Sequence, residues 1–283
     1  MRVGILGASS FLGERALSLL ARTDHETTAF TRDLSKVSLT GVDWRSTMHW
    51  HGLALDTFLS FAPLWVLPDY LERLANTQVK RVIVLSSTSR FTKEMSPDAR
   101  ERELAQRLIN AEEQLEQWAA ERKIEWVILR PTMIYGLGRD KNVAQVARFI
   151  QRFGFFPLIG GSVGLRQPVH ADDVVQACLA AMNNHGVPSG GYNLSGGETL
   201  PYHMMVSRIF QALERPQRTL PLPAKALGMA VSLMRCLPRY RHLSSALVQR
   251  MNQDLVFDHL PARDRLGFSP RPFQLTGDDL PGH

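Results

Sequence analysis

Residues 2–20 read RVGILGASSFLGERALSLL. A short apolar run at 2–6 meets a Gly/Ser turn, and a helical pattern follows through Leu20. Gly7, Ser10 and Gly13 form a G-x-x-S-x-x-G spacing. This is the three-glycine turn of dinucleotide sites, with serine in place of the middle glycine. Such a turn lets backbone approach a pyrophosphate closely. The helix amino terminus behind it offers free N–H groups and the positive end of its dipole. A serine at the middle position has two readings. Its hydroxyl donates to a phosphate, or its bulk holds the pyrophosphate slightly farther away. The plain alternative is a strand-to-helix turn with no ligand.

The chain beyond this turn alternates. Strands are expected at 27–30 (TTAF), 57–62 (TFLSFA), 82–85 (VIVL) and 126–129 (WVIL), the last ending at Arg130-Pro131. Between them lie an amphipathic stretch at 68–77 and a long helix at 101–122. Short, nearly continuous apolar strands alternating with helices predict a parallel sheet covered on both faces. The expected fold is α/β, a Rossmann-type doubly wound sheet with ligands at the carboxyl ends of its strands. Helices at 172–182 and 199–213 and a strand at 192–194 follow. The expected division is a dinucleotide-binding domain at 1–155, rejoined by 170–197, and a smaller discontinuous substrate lobe from 156–169 and 198–283.

The composition is that of a folded globular chain. Of 283 residues, 44% are hydrophobic and 21% charged, which excludes dominant disorder. Cys178 and Cys236 form no CxxC pair, so neither a disulfide framework nor a cysteine zinc site is expected. No apolar run is long enough to span a membrane, and the first residues lack a signal-peptide layout. The expected location is cytoplasmic. A net charge of +6 permits an anionic ligand without demanding nucleic acid, and no nucleic-acid partner is expected.

His49 and His51 lack a third ligand in motif spacing, so no metal is expected. Ser86, Ser87 and Ser89 have no histidine in triad spacing, and no G-x-S-x-G occurs. Cys178 reads as core. Residues 153–160 (FGFFPLIG) are apolar enough to bury under the second lobe, and an exposed fraction would mark a partner surface or a hydrophobic slot. Residues 215–250 carry seven cations and no acid. Within them, 224–234 are apolar and RCLPRYRH follows. This reads as a lobe helix with a basic end, the alternative being a peripheral membrane contact.

GASSFLG at residue 7, VIVLSSTS at the fifth strand, LRPTMIYG at 129–136, LRQPVHADDVV at 165–175, YNLSGGETL at 192–200 and DLVFDHLPARDRLGFSPRPF at 254–273 come in a fixed order. In this order they resemble the extended short-chain dehydrogenase/reductase superfamily. The nearest likeness is to its nucleoside-diphosphate-sugar epimerase/dehydratase proteins. The resemblance implies that Gly7, Ser9, Ser10, Phe11, Leu12 and Gly13 form the pyrophosphate loop. Arg32, at the end of the second strand, would offer a fork to a ribose 2′-phosphate, implying NADP rather than NAD. A solvated surface arginine is the bland alternative. Asp43 resembles the position that contacts adenine, and Ala62 and Pro63 the tip beside the ribose. Pro131 to Ile134, Met133 among them, resemble the segment that lines the nicotinamide, and Ser86 is a further cofactor-binding position. Arg166 resembles an arginine that pairs with a sugar-nucleotide diphosphate, the alternative being a salt bridge to Asp172 or Asp173. A homodimer is a further family expectation.

The chemistry of that family needs a tyrosine acid/base, a lysine four residues later that lowers its pKa, and a Ser or Thr that orients the carbonyl. Thr88 matches the last of these. The helix that should carry the pair has Ala105 and Ile109 when Glu113 is aligned with the family glutamate. A shift by one residue gives Leu104 and Leu108. Tyr135 is then the expected substitute acid/base, because the strand before it ends at the same crevice. Lys93 and Lys141 are the alternatives. The function expected is an NADP-dependent oxidoreductase or epimerase acting on a sugar nucleotide or a similar carbonyl or hydroxyl compound. The competing reading is a non-catalytic NADP-binding scaffold, sensor or assembly protein. A third is a scaffold that has lost the cofactor too.

Overall fold

The computed structural model describes residues 1–36, 41–223 and 250–282. The basic stretch read at 224–249 therefore lies outside the described residues. Seven strands make the central sheet: β1 (Arg2–Leu6), β2 (Glu26–Thr31), β3 (Asp43–Ser46), β4 (Thr57–Ser60), β5 (Arg81–Leu85), β6 (Glu125–Pro131) and β11 (Gly190–Leu194). Their order is β11-β6-β5-β4-β1-β2-β3, and every pairing is parallel. The expected doubly wound sheet is therefore present, with β3 added at its edge.

Alternation along the strands explains the two covered faces. Ile83, Val127 and Leu129 join one core with α1 (Phe11–Leu20) and α6 (Ala171–Asn183). Val82, Val84 and Ile128 join the other with α4 (Ala99–Arg122) and the turn at 64–70. Helix α4 starts at Asp98, whose carboxylate accepts from the Arg100 N–H at 2.9 Å. It ends at Lys123 in the left-handed region, φ 55°. Its buried face runs Ala105, Leu108, Glu112, Leu115 and Ala119, a helical spacing that points one carboxylate inward.

A third core holds Tyr135, Phe156, Phe273 and Leu280 together with α5 (Val143–Phe153) and α7 (Tyr202–Ala212). Val143, Val146, Ala147 and Ile150 are the residues that α5 buries in this core. Small strand pairs brace this part. They are β7 (Ile134–Tyr135) with β10 (Val169–His170), β9 (Leu165–Arg166) with β12 (Leu200–Pro201), and β8 (Phe156–Ile159) with β13 (Thr219–Leu222). Of the apolar stretch at 153–160, Phe156 and Ile159 are buried while Phe153 and Phe155 remain 47% and 36% exposed.

Arg81, fully buried, ties the sheet to the end of α6. It donates to the carbonyls of Ala181 (2.8 Å), Asn184 (3.1 Å) and Val187 (3.3 Å) and pairs with Glu125. A cation at a helix carboxyl end satisfies orphan carbonyls and opposes the dipole.

Candidate functional site

The glycine turn stands at the carboxyl end of β1, as expected. A Cβ on Gly7 would sit 2.4 Å from the backbone nitrogen of Ala62, and φ is +74° there. A Cβ on Gly13 would sit 2.2 Å from the Gly7 carbonyl oxygen. Both positions therefore require glycine. Ser10 caps α1: its oxygen accepts from the Gly13 N–H (3.2 Å) and its hydroxyl donates to the Phe61 carbonyl (3.3 Å). This corrects the expectation that the hydroxyl donates to a phosphate, since its one proton is already engaged. What remains for an anion is the backbone. The N–H groups of Phe11 and Leu12 open α1 and have no intrahelical acceptor. Glu14, in the first turn, is neutralised by Arg139. Ser9 and Arg32 are exposed, and Ala62 lies beside Gly7. A donor set of helix-terminal N–H groups plus a nearby arginine fits a phosphate-rich dinucleotide.

Asp43 is elsewhere. It opens β3 opposite Thr28 and shares a hollow with Arg2 and Glu26, where β1 and β2 begin. Its carboxylate accepts from Arg45 at 2.8 Å and from Thr28 at 3.4 Å. The adenine contact expected of Asp43 is corrected on this ground: Ser46, not Asp43, ends the strand at the crevice.

Past β5 the chain enters a one-turn helix, α3 (Ser89–Thr92), with Thr88 and Lys93 as its two caps. Thr88 is buried, and both its N–H (3.2 Å) and its hydroxyl (3.3 Å) donate to the Pro131 carbonyl at the end of β6. A cavity of about 240 Å³ is lined by Thr88, Lys93, Met133, Arg166, Gln167 and Arg250, among others. It shares Met133, Asn142, Arg166, Arg250 and Leu255 with a larger one of about 380 Å³, whose walls include Lys141, Phe149, Phe156, Tyr202, Met205 and Met251. Thr88, Met133 and Arg166 are thus brought to one cleft, polar at one end and apolar at the other.

Arg166 does not pair with Asp172 or Asp173, which hold Arg15 and Arg271 instead. It is 3% exposed and donates to the carbonyls of Leu165 (2.7 Å), Gln253 (2.8 Å) and Arg250. Its guanidinium lies 5.5 Å from the Tyr202 ring centroid. It is a fixed positive wall.

Tyr135 is not at the cleft. It is fully buried in the third core, edge-on to His170 and Phe273, and its hydroxyl donates to the Gln274 carbonyl at 3.4 Å. Burial pushes its pKa up to about 12. The expectation of Tyr135 as acid/base is corrected: β7 carries it past the crevice and into the lobe.

Glu112, not Glu113, faces inward. It is 1% exposed and accepts from Ser86, Arg90 and Arg130. Ser86 is therefore committed to this network. Neither Ala105 and Ile109 nor Leu104 and Leu108 brings a tyrosine or a lysine to this helix. The buried spacing of Leu108, Leu115 and Ala119 was the available signal for the inward register. A second buried pair went unread: His170 caps α6, accepting from the Asp172 N–H at 3.1 Å, and meets Asp279 at 2.9 Å. His49 and His51 are exposed, and among the described residues no group of three or more potential ligands gathers for a metal. Cys178 is buried core. No described helix is long and apolar enough to cross a membrane.

The fold is a Rossmann-type parallel sheet with a cleft beyond the carboxyl ends of its strands. Residues 69–195 match the NAD dependent epimerase/dehydratase family. UDP-glucose 4-epimerase of Vibrio cholerae is 26% identical over 162 residues, 56% of this chain and 46% of that protein. NADH dehydrogenase (ubiquinone) 1 alpha subcomplex subunit 9, mitochondrial, of Arabidopsis thaliana is 32% identical over 108 residues, 37% of this chain and 27% of that one. The chain spans less than half the length of the curated relatives it matches. UDP-glucuronic acid 4-epimerase from Bacillus cereus, solved with NAD, has a TM-score of 0.70 at 14% identity, covering 99% of this chain and 93% of that one. The resemblance read from the ordered motifs therefore holds: the chain is akin to the extended short-chain dehydrogenase/reductases and, over residues 69–195, to their epimerase/dehydratase family.

Proposed function

We propose that the chain binds a nicotinamide dinucleotide at Gly7–Gly13, NADP over NAD, and acts as an oxidoreductase or epimerase. Its substrate would be a sugar nucleotide or a similar carbonyl or hydroxyl compound. The observation that carries this is the meeting of Thr88, Met133 and Arg166 in one cleft at the same strand ends as the glycine turn. The N–H groups of Phe11 and Leu12 would hold the pyrophosphate, and Arg32 the 2′-phosphate. The dinucleotide, when bound, supplies or accepts hydride. The chain's own part is to place the substrate. Thr88, whose proton is held by the Pro131 carbonyl, offers its lone pairs to a substrate hydroxyl. Arg166 presents a fixed charge to an anionic group.

Arg32→Ala tests the cofactor choice. NADPH at 100 times its dissociation constant should stabilise the parent by ~2.7 kcal/mol. It should exceed NADH in thermal shift only while Arg32 is present. Equal shifts in the parent would remove the 2′-phosphate argument. No shift with either would remove dinucleotide binding.

A second reading is a dinucleotide-binding scaffold without turnover. Ala105 and Ile109, which the family resemblance aligns with the Tyr-Lys pair, favour it, as does the likeness to a subunit of NADH dehydrogenase. Tight NADPH binding with no turnover on a broad panel of sugar nucleotides and simple carbonyl compounds would select it.

A further inference from the structure

We propose that Lys93 is the proton donor and acceptor of this site, in place of the missing tyrosine. The inference rests on the oxidoreductase reading and names the residue that completes it. Three observations carry it.

The first is placement. Thr88 and Lys93 cap the two ends of α3, and both line the 240 Å³ cavity with Met133. The Lys93 backbone is pinned there, its N–H donating to the Ser89 carbonyl at 3.0 Å.

The second is elimination by chemistry. The described residues around this cavity are Ser, Thr, Met, Asn, Gln, Leu, Phe, Arg and Lys, with no carboxylate, histidine, cysteine or tyrosine among them. Arginine does not release a proton in proteins, so Arg166 and Arg250 cannot serve. Lys93 alone of these side chains has an exchangeable charge.

The third is electrostatic. Burial pushes the Lys93 pKa down, and the Arg250 guanidinium adds to this, while Glu101 opposes it. Glu101 is itself paired with Arg250 at 2.5 Å, and Arg166 adds a further cation from across the cavity. Thr92, Thr132, Asn142, Gln167, Leu255 and Phe257 contribute no charge. An ammonium held below its usual pKa transfers its proton more readily at working pH.

In the reducing direction, the carbonyl carbon gains hydride from the reduced nicotinamide while its oxygen gains a proton from the Lys93 ammonium. Products are the alcohol, the oxidised nicotinamide and a neutral amine, which solvent reprotonates. In the oxidising direction the neutral amine takes the hydroxyl proton.

The test compares the parent, Lys93→Met and Lys93→Arg. NADPH binding is followed by fluorescence, and turnover is measured on sugar nucleotides and simple carbonyl compounds from neutral to alkaline pH. Both variants should bind NADPH and lose kcat by ~10²–10⁴-fold, with KM changed by no more than about threefold. Arginine keeps the charge and not the proton transfer. Recovery of kcat in Lys93→Arg would make Lys93 an anion ligand and overturn the proposal.

Limiting acetylation with peptide mass spectrometry gives a readout without turnover. Lys93 should titrate below the ~10.4 of a free lysine, and saturating NADPH should slow its acetylation. An ordinary titration, or no protection, would also overturn it. Unchanged turnover in Lys93→Met with NADPH bound would sink Lys93 and leave the oxidoreductase reading standing. Failure of the parent to bind NADPH would sink both. NADPH binding without turnover in the parent would sink the oxidoreductase reading and, with it, the catalytic role of Lys93.

Discussion

Glu112 should be the costliest single carboxylate to remove. It is 1% exposed, while Arg90 and Arg130, the two guanidiniums on it, have side chains 21% and 12% exposed. Glu112→Gln keeps the shape but strands two cations beside a neutral amide. Breaking a buried pair costs ~3–5 kcal/mol, because the surviving charge stays desolvated. Both arginines keep a little contact with water, so about 3 kcal/mol is expected here. Unfolding entropy of ~2.1 cal/mol/K per residue makes each kcal/mol worth ~1.7 °C in a chain of 283 residues. The melting temperature by calorimetry should therefore fall by ~5 °C. Adding Arg130→Met removes one stranded cation and should recover roughly half of the loss. Glu113→Gln, one residue on and exposed, should stay within ~0.5 kcal/mol of the parent. If Glu112→Gln melts within about 1 °C of the parent, or if Glu113→Gln is the worse variant, the inward register of α4 is wrong.

Two more outcomes follow from buried groups away from the cleft. Tyr135→Phe loses only a 3.4 Å bond to the Gln274 carbonyl, so it should cost ~0.5–1.5 kcal/mol in urea unfolding and leave kcat unchanged. A tenfold or larger drop in kcat, roughly 1.4 kcal/mol of barrier, would return Tyr135 to the chemistry. Asp279 should contribute an acid-labile part of stability. Burial alone would raise its pKa, but hydrogen bonds from His170 and Thr276 outweigh that and hold it at about 2. A depressed carboxylate stabilises the fold above its unfolded pKa and loses that contribution as pH falls, here from ~4 through ~2. The amount is on the order of 1–2 kcal/mol after solvent screening. Urea titrations of the parent and Asp279→Asn should converge over that window, and parallel curves would contradict a stabilising role for the His170–Asp279 pair.

Six of the seven central strands were legible as short runs closed by turn signals, whereas β3, with the polar sequence DWRS, carries no apolar run to mark it. The run VIVL, buried on both sides, and Arg130-Pro131 each mark where a strand ends. The glycine turn was legible for a steric reason, since a Cβ at either glycine would strike backbone. Tyr135 was misplaced because its neighbours, His170 and Phe273, are distant in sequence, and no local pattern shows that β7 leaves the crevice for β10. Asp43 was misplaced by strand register: a four-residue strand has two ends, and only the pairing with Thr28 says which one it occupies. The choice between Glu112 and Glu113 needed the helical phase of α4, which was available and outweighed by motif alignment. Lys93 was visible only as one of two alternatives, because α3 is a single turn with no periodicity to place its ends.

The strand order also bears on how the chain is made. Six of the seven central strands are complete by Pro131, yet β6 gains its outer neighbour only when Gly190–Leu194 arrives. Until then Val127, Ile128 and Leu129 lie on an open edge with unpaired backbone groups. Such an edge is a template for pairing with another chain. A nascent chain stalled between these points would therefore need a holdase, and a truncation ending after Asn183 should aggregate and not fold as a smaller sheet.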